Sequence, residues 1–181
     1  MKKGFAVIAV TLLLILSCAA VALAENAFWI GYSYRGDIEI DGTSLQVGSG
    51  FDFSYEYTFD GNSFESGFGV EYQLDRNIDE YSLKFQYIPV YGLFAFEISE
   101  TETNNIYLLG KLGYNFLIVS DLPATASARN GYYYACGLGM KIGPYFRTQA
   151  LYEVYNGSVV ASGVTQDLTH TAYTLKCGLA F

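Results

Sequence analysis

From Phe28 onward, apolar and polar side chains alternate with a period of two, the pattern of β-strands that present one apolar face and one polar face. The clearest run sets Leu45, Val47, Phe51, Phe53, Tyr55, Tyr57 and Phe59 against Gln46, Gly48, Gly50, Asp52, Ser54, Glu56 and Thr58. Asp60-Gly61-Asn62 then supplies turn chemistry. The return run sets Phe64, Ser66, Phe68, Val70, Tyr72 and Leu74 against Glu65, Gly67, Gly69, Glu71 and Gln73, so the two runs predict a hairpin. Read the same way, the chain predicts eight strands, at about 26–36, 45–59, 63–75, 80–98, 103–119, 130–143, 145–157 and 168–181. Connections near 60–62, 99–103 and 143–144 are short, whereas those at 37–44, 76–79, 120–129 and 158–167 are mostly longer and rich in Gly, Ser, Asp and Thr. The fourth strand is overlong, and Pro89 marks a bulge expected to shift its parity.

Eight antiparallel strands with short turns at one end and longer loops at the other form the layout of a transmembrane barrel, and an even count puts both termini at the short-turn end. Alternation alone does not say which face is outside, because a soluble ligand-binding barrel would be apolar within. Volume favours the apolar face outward: an eight-stranded interior is just wide enough to be filled by side chains and cannot hold the Phe, Tyr, Leu and Val of that face. The expected fold class is all-β, an eight-stranded antiparallel up-and-down barrel, with the soluble barrel as the alternative. In the lumen, the acids Asp52, Glu56, Glu65, Glu71 and Glu153 are expected to pair with Lys84, Lys111, Lys141, Arg147 and Lys176. Two aromatic belts follow from the same register. Phe28, Phe59, Phe64, Phe96, Phe146 and Phe181 fall near the lower rim, and Tyr34, Tyr72, Tyr81, Tyr132 and Tyr173 near the upper one.

Composition fits one domain: 181 residues, 51% hydrophobic, 17% aromatic and 15% charged, which is too aromatic for a disordered chain. Residues 1–24 run from Lys2 and Lys3 through an apolar stretch to Ala22-Leu23-Ala24, the anatomy of a secretory signal peptide helix cleaved after Ala24, leaving 25–181 as the barrel. Two other readings of this leader are an uncleaved transmembrane helix and a lipobox at Ile15-Leu16-Ser17-Cys18 with Cys18 lipidated. Removing Lys2 and Lys3 leaves 8 basic residues against 18 acidic ones, a net charge near −10, which argues against nucleic acid as a partner.

The final segment, Tyr173, Leu175, Cys177, Leu179 and Phe181 at alternate positions, looks like the C-terminal signal read by the barrel-assembly machinery of outer membranes. Together with Tyr107-Leu-Leu-Gly-Lys111-Leu-Gly-Tyr114, Tyr134-Ala-Cys-Gly137-Leu-Gly139-Met-Lys141 and Leu151-Tyr-Glu153-Val-Tyr155, it resembles the glycine-rich strands of the OmpA/OmpX-like outer-membrane β-barrel family. The resemblance covers nearly all of 26–181 and is closest to the barrel-only members, which carry no peptidoglycan-binding domain. It implies location in the outer membrane, contact with outer-membrane lipid and lipopolysaccharide, and assembly by that machinery.

Enzymatic chemistry finds little support. A lipid A deacylase of similar size uses a His and a Ser two apart on one strand face, but here His170-Thr171-Ala172 puts an alanine in the nucleophile's place. His170 is expected to make a lumen hydrogen bond, with Glu153 within reach. A metal site is not expected, since His170 is the sole histidine and Cys136 and Cys177 lack ligand spacing; both cysteines are expected as free thiols on the lipid face. No cofactor is expected. Narrow-pore conduction is the alternative function, disfavoured because interior charges in so thin a barrel close it by pairing. The outer loops carry Asp37, Glu39, Asp41, Asp75, Asp79, Glu80, Asp121 and Asp167 against Arg76 and Arg129, an acidic tip suited to cation-bridged lipopolysaccharide phosphates or to a basic host or surface ligand. Asn156-Gly157-Ser158 matches a glycosylation sequon but reads as turn chemistry. The expected function is non-enzymatic: structural, envelope-supporting or adhesive.

Overall fold

The computed structural model describes residues 24–181 apart from Asp41, Asp60, Asn62, Ser63, Asp79, Glu80, Glu102, Thr103, Asp121, Ala124 and Ser162. The leader helix, Ala22 and Cys18 therefore lie outside the described residues. Regular structure within them is β throughout: β1 (Ala24–Ile40), β2 (Thr43–Val47), β3 (Gly50–Phe59), β4 (Phe64–Gln73), β5 (Arg76–Ile78), β6 (Tyr81–Glu100), β7 (Asn104–Val119), β8 (Ala126–Ile142), β9 (Phe146–Ala161) and β10 (Val164–Ala180).

Eight of these strands form a closed wall, β1-β3-β4-β6-β7-β8-β9-β10, with β10 returning to pair with β1 and each pair antiparallel. Closure removes every free sheet edge, the condition for strands to cross hydrocarbon. At the end that holds both termini, Asn26 and Phe181 exchange their two backbone hydrogen bonds, at 3.1 and 2.9 Å. The eight-strand expectation thus holds for the wall, and β2 and β5 are additions at the opposite end. They bridge β1 to β6 above the points where β3 begins and β4 stops.

That opposite end departs from the sequence reading. The stretches 37–44 and 158–167, expected as loops, are extended hairpins. The register pairs Ile40 with Thr43 and Ala161 with Val164, so each hairpin closes tightly beside Gly42 or Gly163. Gly42 and Gly163 have φ of +82° and +81°, the left-handed backbone that two-residue turns demand and that glycine adopts without strain. Asn156-Gly157-Ser158 accordingly lies within β9, not in a turn. The run expected at 45–59 breaks at Gly48-Ser49, so Val47 is fully buried inside while Phe51 faces out, where the alternation had put both on one face.

Pro89 behaves differently from expectation as well. Phe85, Tyr87, Pro89, Tyr91, Leu93 and Ala95 all turn inward, so the parity of β6 does not shift. What Pro89 interrupts is the ladder: lacking an N–H, it ends the β4–β6 pairing at Val70↔Val90, and pairing resumes through β5 at Arg76↔Phe85, one residue out of step.

Side chains obey opposite rules in the two halves. From the termini to about the level of Tyr34 and Tyr173, the outer face is Phe, Tyr, Leu, Ile and Val, mostly exposed, and the inner face mixes Ser, Thr, Gly and charge with two small buried apolar groups, one around Tyr107, Leu109 and Leu151 and one around Trp29. Above that level the inside is mainly apolar, with Arg76 and His170 buried in it, and the outside mainly polar. Bulges make the switch. In β1 the register slips between Tyr34 and Asp37, which turns Ile38 and Ile40 inward and Asp37 and Glu39 outward. In β8 it slips between Asn130 and Tyr133, which turns Ala126 and Ala128 inward. A one-residue slip moves the rest of a strand's side chains to the other face, which accounts for β1 and β8, while β7 keeps its parity and changes residue type instead. The resulting apolar cluster includes Ile38, Val47, Ile78, Phe85, Leu117 and Leu168.

Candidate functional site

The lumen of the lower half is a stack of charge-paired layers, built because β3, β4, β7, β9 and β10 turn their charged and amide residues inward, between glycines and a few apolar side chains such as Leu109 and Leu151. At the terminal end, Arg147 pairs with Glu25 and, at 3.6 Å, with Glu65, while Lys141 pairs with Glu65 and, at 3.5 Å, with Glu97. One layer higher, Lys111 Nζ lies 2.7 Å from Glu56 and 5.1 Å above the Tyr91 ring. It also donates to Gln149 Oε1 at 3.0 Å, and the Tyr91 hydroxyl donates to Glu56 at 2.9 Å. Gly69 makes room for Tyr91, since a methyl group there would stand 2.7 Å from the ring.

The uppermost polar layer is the densest. Lys176 Nζ contacts Glu71, lies 3.1 Å from Asp52 and 3.4 Å from Glu153, and all four side chains are fully buried. The three carboxylates converge within 4.8 Å of one another, and the ammonium is the cation they hold. One positive charge does not offset three carboxylates in a low-dielectric interior, and neutral hydroxyl donors share the excess. Tyr155 donates to Glu71 and Tyr133 to Glu153, each at 2.8 Å, and Thr174 donates to Glu153 at 2.5 Å. Hydrogen bonds to ionised acceptors are about twice as strong as neutral ones.

Above this layer, Tyr87, Tyr155 and His170 stack face to face: Tyr87 and Tyr155 have ring centroids 5.3 Å apart, and His170 lies 5.7 Å from Tyr155. His170 Nδ1 is 3.2 Å from the Asp37 carbonyl oxygen. Its hydrogen-bond partner is thus a backbone group, while Glu153 is engaged by Tyr133, Thr174 and Lys176. Ala172 sits buried one step below, on the same face.

Nine of the ten residues expected in the lumen are there: Asp52, Glu56, Glu65, Glu71, Lys111, Lys141, Arg147, Glu153 and Lys176. Lys84 is not. It is exposed on the outside of β6, paired with Asn77 in the upper half where the outside is polar. Arg76, expected at the loop tip, is instead buried, with Nη1 3.3 Å from the Gly48 carbonyl oxygen. The β4–β5 break turns it inward. Sequence reasoning also missed Tyr87, Tyr91, Tyr107, Tyr133 and Tyr155, assigning tyrosine to the lipid face; their parity relative to Lys111 and Glu153 was the signal that placed them inside. Of the belt residues, Phe28, Phe64, Phe96, Phe146 and Phe181 below and Tyr34, Tyr72, Tyr132 and Tyr173 above are exposed, while Phe59 is half-buried. The Tyr81 side chain lies outside the described residues. Cys136 and Cys177 are exposed free thiols on the outer face. Tyr173, Leu175, Leu179 and Phe181 share that face.

A closed antiparallel barrel that is apolar and aromatic outside and charge-filled inside over its lower half is a transmembrane barrel of the outer-membrane kind. The chain belongs to the outer membrane protein beta-barrel domain family, whose model matches residues 8–181, and its place is the cell outer membrane. Among solved structures, Ail of Yersinia pestis in complex with the heparin analogue sucrose octasulfate is 19% identical, with a TM-score of 0.52 over 87% of this chain and 99% of that one. Neisserial surface protein A is 14% identical, with a TM-score of 0.58 over 87% and 99%. OprG of Pseudomonas aeruginosa is 13% identical, with a TM-score of 0.53 over 87% and 95%. At these identities the likeness is one of fold. No curated protein sequence matches the chain.

Proposed function

We propose that this is a non-enzymatic surface protein whose membrane half is a rigid, non-conducting anchor and whose extracellular half does the work, supporting the envelope through its acidic outer rim. The observation that carries this is the occupancy of the lumen. Lys176, Asp52, Glu71 and Glu153 in one layer and Lys111 and Glu56 in the next are 0–3% exposed, leaving no water-filled path beside them. The rim exposes Asp37, Glu39, Asp75 and Asp167, with Arg35, Lys84 and Arg129 as the basic residues among them. Asp41, Asp79, Glu80 and Asp121 belong to the same segments in the sequence. This balance favours divalent cations bridging the rim to lipopolysaccharide phosphates, or a basic surface ligand. It disfavours direct capture of a polyanion such as the heparin analogue bound by Ail.

Export by cleavage after Ala24 and insertion by the barrel-assembly machinery through Tyr173, Leu175, Leu179 and Phe181 complete the proposal. The sequence of the leader supports the first, and the exposed alternating face of β10 the second. Planar-bilayer recording tests the anchor: the protein and its Lys111→Ala and Glu71→Ala variants are expected to show no steady channel current, and a stepwise conductance in the unaltered protein would overturn the reading. Cells carrying Asp37→Asn, Glu39→Gln and Asp167→Asn together are expected to become more permeable to a hydrophobic dye at low magnesium. Permeability equal to that of the unaltered protein would remove the rim from the proposal.

A further inference from the structure

The inverted upper half encloses a cavity of about 90 Å³ that the proposed function does not use. Its walls come from six strands of the barrel mouth, represented by Ile38, Ile78, Leu117, Val159 and Leu168, and Phe85 and Tyr87 form its aromatic side. Gln166 supplies a polar edge where the cavity meets the outside, and none of the described residues that line it is charged.

Interiors close-pack with few voids larger than a water molecule, so an unfilled space among aliphatic side chains calls for a physical account. Water is a poor occupant, because it needs two to four polar partners and these walls offer almost none. Engineered cavities of about 150 Å³ with Leu, Ile and Phe walls stay dry and take up benzene, and the present cavity is of that order. The bulges in β1 and β8 add weight. Without the slip in β1, Asp37 and Glu39 would point inward and the mouth would be charged, so the local irregularity of the backbone is what makes the mouth apolar. The floor is closed as well. The Tyr87, Tyr155 and His170 stack separates the cavity from the carboxylate layer around Lys176, so the space is a blind pocket entered from the extracellular side.

We infer that this pocket is a binding site for a small neutral aromatic molecule of about the size of benzene. The aliphatic walls would grip its rim, and Phe85 and Tyr87 would offer ring contacts of the edge or offset kind that aromatic pairs prefer. A charged ligand is disfavoured, since the described lining offers no counter-charge. The inference concerns the extracellular half alone and stands whether or not the rim binds lipopolysaccharide.

Fluorobenzene added to the full-length mature barrel in lipid nanodiscs, with isotope-labelled Ile, Leu and Val methyl groups, tests it. Apolar probes also dissolve in the bilayer, so the readout must be positional. Intermolecular nuclear Overhauser effects are expected to the methyl groups of Ile38, Ile78 and Leu117, with shifts that saturate on titration. Leu117→Trp, or the milder Val159→Phe on another wall, is expected to abolish these contacts while leaving the barrel's other methyl shifts in place. Contacts confined to the lipid-facing Leu112 and Leu175 would mean partition into the bilayer only and would overturn the proposal, as would contacts at Ile78 and Leu117 that never saturate.

Discussion

The membrane half and the extracellular half of this barrel share the same strands yet follow inverse solvation rules. β7 shows it without any bulge. Its inward positions read Tyr107, Leu109, Lys111, Gly113, Asn115, Leu117 and Val119, polar at mid-membrane and aliphatic at the top. In lipid, the outside must be apolar and the narrow inside is filled by paired charge, because closure already satisfies the backbone. Above the lipid, water surrounds the wall, and only an apolar inside supplies a hydrophobic driving force. The halves therefore differ in what dominates: buried ion pairs and hydroxyl networks below, with small apolar groups around Leu109 and Trp29, and a larger apolar core above.

Breaking the lower half at its centre gives the largest expected effect. Lys176→Met leaves Asp52, Glu71 and Glu153 buried without their cation, and removing one partner of such a cluster costs about 3–5 kcal/mol. Urea titration in detergent, followed by the loss of the compact unboiled gel band, is expected to show a much lower midpoint. The upper half should fail locally instead. Ile38→Ala deletes a fully buried aliphatic side chain at a cost of about 2–5 kcal/mol, and hydrogen exchange is expected to quicken in the upper parts of β1 and β10 while β3 stays protected.

One substitution placed on the two outer faces sharpens the contrast. Leu112→Arg, on the lipid face near mid-membrane, is expected to cost about 2–4 kcal/mol. Thr165→Arg, on the water-facing side of β10, is expected to leave the urea midpoint unchanged. Between these extremes lies the layer nearest the termini. Arg147→Gln leaves Glu65 with Lys141 as its remaining cation and Glu25 partly open to water, and a loss of midpoint smaller than that of Lys176→Met is expected in the same titration.

The lower half was legible in the sequence because period two runs unbroken there, and one volume argument settles which face is outside. Phe51 to Phe59 against Asp52 to Thr58 needs nothing more. The upper half was not legible, because a bulge changes the meaning of parity without any change in composition: Ile38 and Ile40 alternate with Asp37 and Glu39 as regularly as the residues below, only on the opposite face. The small and polar residues near Gly42 and Gly163 read as long loops, whereas strands pair up to Ile40↔Thr43 and Ala161↔Val164. Lys84 was assigned to the lumen for the opposite reason, since a parity shift was expected at Pro89 and β6 keeps one parity across it. The inward tyrosines were missed because tyrosine suits both environments, offering a ring to lipid and a hydroxyl to a buried carboxylate.

The central claim is the inversion itself, and a paramagnetic probe in the lipid tails tests it most directly. In nanodiscs containing a tail-labelled nitroxide lipid, the methyl signals of Val70, Leu112 and Leu175 are expected to broaden strongly, while those of Ile38, Leu117 and Leu168 stay sharp. Equal broadening of the two sets would place the upper aliphatic residues against lipid and contradict the account.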